Sequence, residues 1–284
     1  MTVIVAACIQ LRSGKDISEN TACAEELIRA AAGDGATLVQ TPEMSNVLVR
    51  SREELMVRID VLDRDPFVSM ARRVAAELGI FLHVGSVAVL LDGGRAANRA
   101  VLIAPTGAVV ETYDKIHMFD VDLPGGESWR ESSTYRPGGR APVVDLPFGK
   151  LGMAICYDIR FPALFRAQSR LGAEILTAPA AFTRQTGQAH WHVLQRARAI
   201  ENGAYIISAA QGGRHEDERE TFGHSLIVDP WGSVVAELDN DAPGHLAAEI
   251  DLAKVAKARA RIPAIANERD FDCRMTEAVR EEPA

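Results

Sequence analysis

The chain has 284 residues, of which 47% are hydrophobic and 25% are charged, a composition typical of globular proteins with a full hydrophobic core. The net charge is −8 at pH 7, and no run of lysine or arginine forms a basic stripe, which argues against nucleic acid as a partner. No apolar run approaches the roughly 18 residues of a membrane-spanning helix, so no membrane association is expected.

The cysteines predict free thiols. Cys8, Cys23, Cys156 and Cys273 are far apart in the sequence and form neither a C-x-x-C motif nor a dense framework. This pattern is typical of reducing compartments and predicts a cytoplasmic location. The N-terminal stretch MTVIVAACIQLR has no basic region before it and no cleavage site after it, so we interpret it as a first strand and not as a signal peptide.

Apolar periodicity predicts strands that alternate with helices. The predicted strands cover 3–9, 36–40, 80–89, 98–104, 108–113, 143–146, 150–155, 174–178, 204–209, 223–228, 234–238 and 245–250. The predicted helices cover 17–32, 66–78, 161–171, 188–202 and 251–261. This alternation favours the α/β class, and the strand pairs within 98–113 and 223–238 indicate antiparallel hairpins in a mixed sheet.

Two segments depart from this pattern. Residues 116–142 are rich in proline and glycine and show no clear period, which is typical of a functional or irregular loop. The chain from Pro263 onward is polar. Because no linker or composition shift divides the rest, residues 1–284 are predicted to form one domain, with 263–284 as its C-terminal tail.

Three polar residues stand at the ends of predicted strands. Cys156, in GMAICYDIRFP, follows an apolar run and precedes a helix. In such an elbow a nucleophile points into a cleft, and the next backbone N–H is free to bind an oxyanion. The alternative is a small buried hydrophobe. Glu43 in LVQTPEMSN and Lys115 in ETYDKIHMFD follow other strands. Taken alone, each is better explained as a capping or solvated side chain.

The three residues together indicate acyl transfer. A thiol needs a base to become a nucleophile, and a carboxylate in a partly desolvated site can serve. The tetrahedral intermediate carries a negative oxygen, which a fixed ammonium and a backbone N–H would stabilise. We therefore hypothesise that Glu43, Lys115 and Cys156 meet at one edge of the sheets.

Glu43 in TPEMSN, Lys115 in YDKIHMFD and Cys156 in GMAICYDIRFP resemble the Glu-Lys-Cys signature of the nitrilase superfamily of carbon–nitrogen hydrolases. The stretches KIHMFDVDLPG, ESSTYRPG, GQAHWHVLQRARAIEN, GHSLIVDPWG and AAQGGRH are similar to the Nit branch, which includes ω-amidases and deaminated glutathione amidases. Gln188 departs from the proline frequent at that position. The resemblance implies a four-layer α-β-β-α sandwich of two mixed sheets and a homodimer or larger homo-oligomer, to which the tail from Pro263 contributes contacts.

The resemblance also implies roles for individual residues. Glu131 would be a second catalytic-site glutamate that orients Lys115, and the backbone N–H of Tyr157 would join Lys115 in the oxyanion hole. The implied reaction is hydrolysis of a small amide through a thioester on Cys156, with Glu43 as the base and with no metal or organic cofactor.

Recognition of the substrate involves a second group of candidates. Arg160 follows the nucleophile by four residues and could bind a substrate carboxylate in a bidentate fork. The alternative is a salt bridge from Arg160 to Asp158 or to a surface acid. Phe182 and Thr186, in AAFTRQTG, are expected to line the same pocket.

Several other functions are compatible with parts of this pattern. Within the same superfamily they are an aliphatic amidase, an N-carbamoyl hydrolase, a nitrilase or a catalytically silent scaffold. Outside it, a Cys-His peptidase could use Cys156 with His224 or His190 as the base. A metal site at the H-x-H of His190 and His192 is not expected, because helix positions two residues apart do not face each other.

Overall fold

The computed structural model describes residues 3–123, 126 and 128–276 of the chain. The strands are β1 Val3–Gln10, β2 Leu38–Gln40, β3 Phe81–Leu91, β4 Arg95–Ile103, β5 Val109–Asp114, β6 Asp120–Asp122, β7 Ser128–Arg130, β8 Val143–Leu146, β9 Gly149–Gly152, β10 Ile175–Thr177, β11 Tyr205–Ser208, β12 Gly212–Arg214, β13 Glu220–Phe222, β14 Leu226–Val228, β15 Val234–Glu237 and β16 Gly244–Asp251. The helices are α1 Ile17–Gly33, α2 Arg52–Met56, α3 Pro66–Leu78, α4 Pro162–Arg170, α5 Arg184–Asn202 and α6 Ala253–Arg261. Short 3-10 helices cover Leu62–Arg64, Glu131–Ser133 and Cys156–Arg160. None of the helices in this described part of the chain has both the length and the apolar character needed to cross a membrane.

Two six-stranded mixed sheets form the centre of the molecule. Their strand orders are β16-β1-β2-β3-β4-β5 and β15-β14-β11-β10-β9-β8. Three neighbouring strands are parallel in each sheet, β1 to β3 in the first and β9 to β11 in the second. The other neighbours in each sheet are antiparallel. The strand directions therefore follow the same order in both sheets, when the first sheet is read from β16 and the second from β8.

The hydrophobic clusters define the layers. Ile9 of β1 packs in one cluster with Val74 of α3, so this cluster lies between the first sheet and the helices that cover it. Cys8, which points to the opposite face of β1, belongs to a second cluster with Leu176 of β10 and Phe165 of α4. The second cluster thus joins the two sheets and the helices beyond them. The expected four-layer α-β-β-α sandwich is confirmed.

Most predicted elements occur close to their predicted bounds, although β4 begins three residues earlier and β14 three residues later than expected. Three further regions also differ from expectation. Helix α5 begins at Arg184, four residues earlier than expected, because the Thr183 hydroxyl caps its first turn. The strand predicted at 150–155 ends at Gly152, and the apolar residues that follow bond to loops instead of to a neighbouring strand. The segment 116–142, expected to be irregular, contains the hairpin of β6 and β7.

The C-terminal segment contacts α4 through Glu268. The carboxylate of Glu268 is 2.9 Å from the guanidinium of Arg170 in that helix. Residues 277–284 of the predicted tail, and residues 124, 125 and 127 of the long loop, lie outside the described residues.

Candidate active site

Cys156 lies at the start of the 3-10 helix that follows β9. Its backbone adopts a left-handed conformation, with φ of 50°, which non-glycine residues adopt infrequently and which is found at strained functional turns. Its backbone N–H donates to the carbonyl of Pro179 at 2.9 Å, which ties this turn to the loop after β10. The side chain lines a cavity of about 320 Å³. The structure therefore presents the sulfur at an elbow between a strand and a helix.

A buried carboxylate holds this elbow in place. Asp158 accepts hydrogen bonds from the Ile155 backbone N–H at 2.9 Å and from the Tyr113 hydroxyl at 2.6 Å. It also accepts from the backbone N–H of His117 at 3.0 Å and lies 2.7 Å from the Nδ1 atom of that residue. Because Asp158 is bonded to these groups, the salt bridge considered between Arg160 and Asp158 is not formed.

Glu43 reaches the same cavity from the loop after β2. This loop packs closely on β3 at Gly85, where a Cβ atom would lie 1.9 Å from the carbonyl oxygen of Thr41, so only glycine permits the contact. The backbone N–H of Ala181 donates to Oε2 of Glu43 at 2.9 Å. The carboxylate is thus buried, with 4% of the residue exposed, and is held by the opposite sheet.

Lys115 connects the two acids. Its Nζ donates to Oε1 of Glu43 at 2.8 Å and to both oxygens of Glu131 at 3.1 and 2.9 Å. The amide of Asn98 donates to Oε1 of Glu43 at 2.8 Å and to Oε1 of Glu131 at 3.1 Å. The Phe119 backbone N–H donates to the other oxygen of Glu131 at 2.7 Å. The ammonium of Lys115 has three acceptors, and the single amide of Asn98 holds both acids. These side chains therefore form a rigid buried group.

The charges within this group shift the pKa values of its members. Burial and the neighbouring charge of Glu43 raise the pKa of the Cys156 thiol well above its usual range, although Lys115 opposes them. Burial by itself would raise the pKa of Glu43, but the charge and hydrogen bonds of Lys115 and the thiol hydrogen bond together lower it. Burial would lower the pKa of Lys115, and the carboxylates of Glu131 and Glu43 outweigh it and raise that pKa. The resting group is therefore a thiol beside a carboxylate and an ammonium.

The residues expected to recognise substrate line the same cavity. Arg160, Phe182 and Thr186 are part of its wall. The Arg160 guanidinium lies 5.3 Å from the ring centroid of Phe182 and 3.3 Å from Nδ1 of His190. Among the described residues, Arg160 forms no ion pair with a carboxylate. A cation held on aromatic rings without an acidic partner is suited to a substrate anion.

Among the cavity-lining residues that the sequence did not predict, three contact one another through Trp129. The ring of Trp129 in β7 lies close to two guanidinium groups, 4.6 Å from that of Arg50 and 4.4 Å from that of Arg219. All three residues line the cavity. They come from separate loops and strands, so no local spacing connects them. That Arg50 and Arg219 meet at the cavity wall could be identified only from the folded structure.

The histidines do not support a peptidase base. Of the described residues that line the cavity, none is a histidine. The two histidines of the H-x-H motif have different partners, since His190 lies beside Arg160 and His192 bonds to Glu237 at 2.7 Å. His224 also lies beside Glu237, at 2.9 Å. The candidate peptidase pairs of Cys156 with His190 or His224 are therefore not formed.

The comparison with known proteins identifies the family. The sequence profile "Carbon-nitrogen hydrolase" matches residues 5–260 of the chain. The chain belongs to the carbon–nitrogen hydrolase family. This carbon–nitrogen hydrolase is accordingly an enzyme that cleaves C–N bonds, and the expected membership of the nitrilase superfamily is confirmed.

Relatives of this carbon–nitrogen hydrolase cover nearly all of its length. The chain is 40% identical over 269 residues to a protein of Synechocystis named deaminated glutathione amidase, covering 93% of this chain and 98% of the relative. It is 41% identical over 271 residues to a mouse protein with the same name, covering 94% and 83%. Among solved structures, the NitFhit protein of C. elegans matches with a TM-score of 0.88 and 34% identity, over 95% of this chain and 66% of that longer one. Saccharomyces cerevisiae Nit3, a member of branch 10 of the nitrilase superfamily, matches with a TM-score of 0.83 and 28% identity, over 92% and 95%.

Proposed function

We propose that this carbon–nitrogen hydrolase is a cysteine-dependent amidase whose substrate is a small amide that carries a carboxylate, of the deaminated glutathione or ω-amide type. The observation that carries the proposal is the meeting of Cys156, Glu43 and Lys115 at the wall of one cavity that also contains Arg160. The names of the relatives from Synechocystis and mouse support the same type of substrate.

The first half of the proposed reaction forms a thioester. Glu43 accepts the thiol proton while the sulfur of Cys156 bonds to the amide carbon, and the carbonyl oxygen becomes an oxyanion. The Lys115 ammonium and the Tyr157 backbone N–H stabilise this oxyanion. Because the pKa of the resting thiol is raised, the proton moves as the C–S bond forms. Glu43 then gives that proton to the leaving nitrogen, the C–N bond breaks, and ammonia departs.

The second half regenerates the enzyme. Glu43 takes a proton from water, and the water oxygen attacks the thioester carbon. Lys115 again faces the oxyanion, and collapse of the intermediate breaks the C–S bond. The sulfur of Cys156 recovers a proton from Glu43 and the acid product leaves. Glu131 acts throughout as a positioning residue for Lys115, and the scheme needs no metal or organic cofactor.

We assign recognition of the substrate carboxylate to Arg160. Its guanidinium faces the cavity, and none of its contacts among the described residues neutralises its charge. Phe182 and Thr186 would contact the part of the substrate between the carboxylate and the amide. A bidentate pair between a guanidinium and a carboxylate is among the stronger hydrogen-bonded contacts in proteins.

The test of this function compares matched amides. Purified enzyme is assayed for ammonia release from deaminated glutathione, α-ketoglutaramate, a neutral amide of similar length, a nitrile and an N-carbamoyl compound. We expect hydrolysis of the two carboxylated amides and a mass increase on Cys156 that corresponds to the acyl group when the reaction is quenched early. Preference for the nitrile or the N-carbamoyl compound would place the activity elsewhere in the family, and absence of turnover on all five would favour a silent scaffold.

The role of Arg160 is tested with the same substrates. Arg160→Met should raise KM for a carboxylated amide by about 10- to 100-fold and leave the neutral amide nearly unaffected, because only the carboxylate loses a partner. Arg170→Met is the matched control, since that arginine is exposed and pairs with Glu268. An equal effect of Arg160→Met on both amides would contradict the assignment.

We further propose one domain over residues 1–284, a cytoplasmic location and a homodimer or larger homo-oligomer. Exposed Cys23 and Cys273 are free thiols, which supports a reducing compartment. Val193 and Ile200 of α5 are exposed apolar residues on the outer helical layer and support an interface there. Sedimentation of the wild type and of Val193→Glu measures the assembly, and an unchanged mass in the variant would place the interface elsewhere.

A further inference from the structure

Among the described residues outside the cavity, one cluster of side chains has the composition of a metal site. His192 lies on α5, His224 lies just before β14, and Glu237 ends β15. One ring nitrogen from each histidine and a carboxylate oxygen of Glu237 all lie within 4.8 Å of one another. Helix α5 and the hairpin of β14 and β15 thus present three potential ligand atoms to one point.

The local packing fixes both rings. The ring of Phe222 stacks on that of His224 with centroids 4.2 Å apart, and it meets the ring of His192 edge-on at 6.0 Å. The indole N–H of Trp191 donates to the carbonyl of His224 at 2.8 Å. Ligands whose rotamers are held by neighbours lose little conformational freedom when they bind an ion.

We propose that His192, His224 and Glu237 bind a divalent cation of the zinc type, with water completing the coordination. Two imidazole nitrogens and one carboxylate oxygen are a donor set that zinc prefers, and a site with three protein ligands keeps a fourth position open for water. The side chains are partly exposed, at 36%, 23% and 25%, so water reaches the cluster.

The distances are compatible with entry of an ion after a small shift. Nε2 of His192 and Nδ1 of His224 are now 2.7 and 2.9 Å from Oε1 of Glu237, whereas ligand atoms around a tetrahedral zinc ion lie about 3.3 Å apart. The ion replaces the hydrogen atoms between these groups, and the Glu237 side chain withdraws by a few tenths of an ångström. The H-x-H motif contributes only His192, so the spacing argument against a site at that motif still holds.

Such an ion would tie α5 to the hairpin of β14 and β15. The first turn of α5 contributes Thr186 to the wall of the catalytic cavity. An ion that binds only the folded arrangement of three separate elements stabilises the fold in proportion to its occupancy. The ion would therefore stabilise the fold, and its binding does not depend on the proposed amidase activity.

The experiment titrates Zn²⁺ into full-length protein that has been freed of metal with a chelator. Calorimetry gives the number of ions per chain, and thermal unfolding gives the change in Tm. The variants are His192→Gln and Glu237→Gln. The control is His245→Gln, because His245 also lies 2.8 Å from a carboxylate, that of Asp34, but has no second histidine beside it.

We expect the wild type and His245→Gln to bind one more Zn²⁺ per chain than His192→Gln and Glu237→Gln. At saturating Zn²⁺, Tm should rise by on the order of 5 °C in the first pair and not in the second. Zn²⁺ that binds to the free thiols is common to all four proteins, so this contribution cancels when the variants are compared. Equal stoichiometry and equal Tm shifts in all four would overturn the proposal.

Loss of binding through misfolding is recognised separately. The partly exposed positions of the substituted side chains predict that metal-free Tm and amide hydrolysis change little in either variant. With Co²⁺ in place of Zn²⁺, the wild type should show visible absorption bands of a low-coordinate nitrogen and oxygen site. If His192→Gln keeps those bands, the ion lies at another site and the proposal is wrong.

Discussion

Cys8 and Cys156 are two thiols of one hydrophobic core that have different surroundings. Both are buried and belong to the cluster that joins the two sheets, and burial raises the pKa of both. Cys8 lies in the middle of β1, where its sulfur is 3.7 Å from the carbonyl of Leu226. Cys156 lies at the wall of a cavity beside Glu43 and Lys115. Burial alone makes a thiol inert, and in the proposed mechanism the carboxylate of Glu43 and the ammonium of Lys115 supply the reactivity of Cys156.

The largest expected effect is the difference in kcat/KM between substitution of Cys156 and substitution of Cys8. Cys156→Ala should lower kcat/KM by about 10⁴-fold or more, because no other group can form the thioester. Cys8→Ala should leave kcat/KM within about twofold of the wild type. Steady-state ammonia release measures both. If Cys156→Ala retained most of its activity, the covalent mechanism would be wrong.

The next largest effect is expected when the proposed base, Glu43, is replaced and the thiol is kept. Glu43→Gln should lower kcat by about 10³-fold, since general-base catalysis typically contributes 10²- to 10⁴-fold. Alkylation of Cys156 by iodoacetamide, followed by peptide mass mapping, should slow in the same variant, with the exposed Cys23 and Cys273 as internal references. Unchanged alkylation of Cys156 would show that its thiol loses the proton to another group.

A smaller effect concerns Glu131, which raises the pKa of Lys115 together with Glu43. In the wild type, the acid limb of the pH profile depends on Glu43. Because the pKa of Glu43 is lowered, wild-type activity should fall only below about pH 4.3, the usual pKa of a glutamate. Glu131→Gln removes one charge that favours the ammonium, so the alkaline loss of activity should begin at lower pH. The kcat at pH 7 should fall about tenfold. An unchanged alkaline limb would assign Glu131 a purely structural role.

The smallest effect is on stability. Cys8→Ala should lower the free energy of unfolding by about 1 kcal/mol, since it leaves a small void between the sheets. Denaturant unfolding monitored by fluorescence measures the change. In the native wild type Cys8 should resist iodoacetamide until the protein unfolds. Labelling of Cys8 at the rate of Cys156 would show that its surroundings open readily and would weaken the contrast between the two sites.

Local patterns were sufficient for elements with strong signals. Helix α3, Pro66–Leu78, occurs at its predicted bounds because Asp65 caps its start, proline occupies its first position and Gly79 ends it in a left-handed conformation. The polar first turn of α5 carries no apolar pattern, so the sequence places its beginning too late. The short strands β6, β7, β12 and β13 were missed because they form small two-stranded sheets with few apolar residues.

The site was partly visible in the sequence. Glu43, Lys115 and Cys156 each follow a predicted strand, which suggested a common edge, while Glu131 was indicated only by the family resemblance. Asn98 lies in the middle of β4 and looks like any strand residue. Its role depends on the approach of two loops that no spacing in the sequence specifies.

Asn98 has a consequence for protein engineering. Its single amide group donates one hydrogen to each of the two acids that flank the ammonium. Any replacement at position 98 therefore disturbs both Glu43, the proposed proton acceptor, and Glu131, which holds the ammonium. A designer who wishes to retune the basicity of one acid must begin elsewhere, because this position offers no independent adjustment.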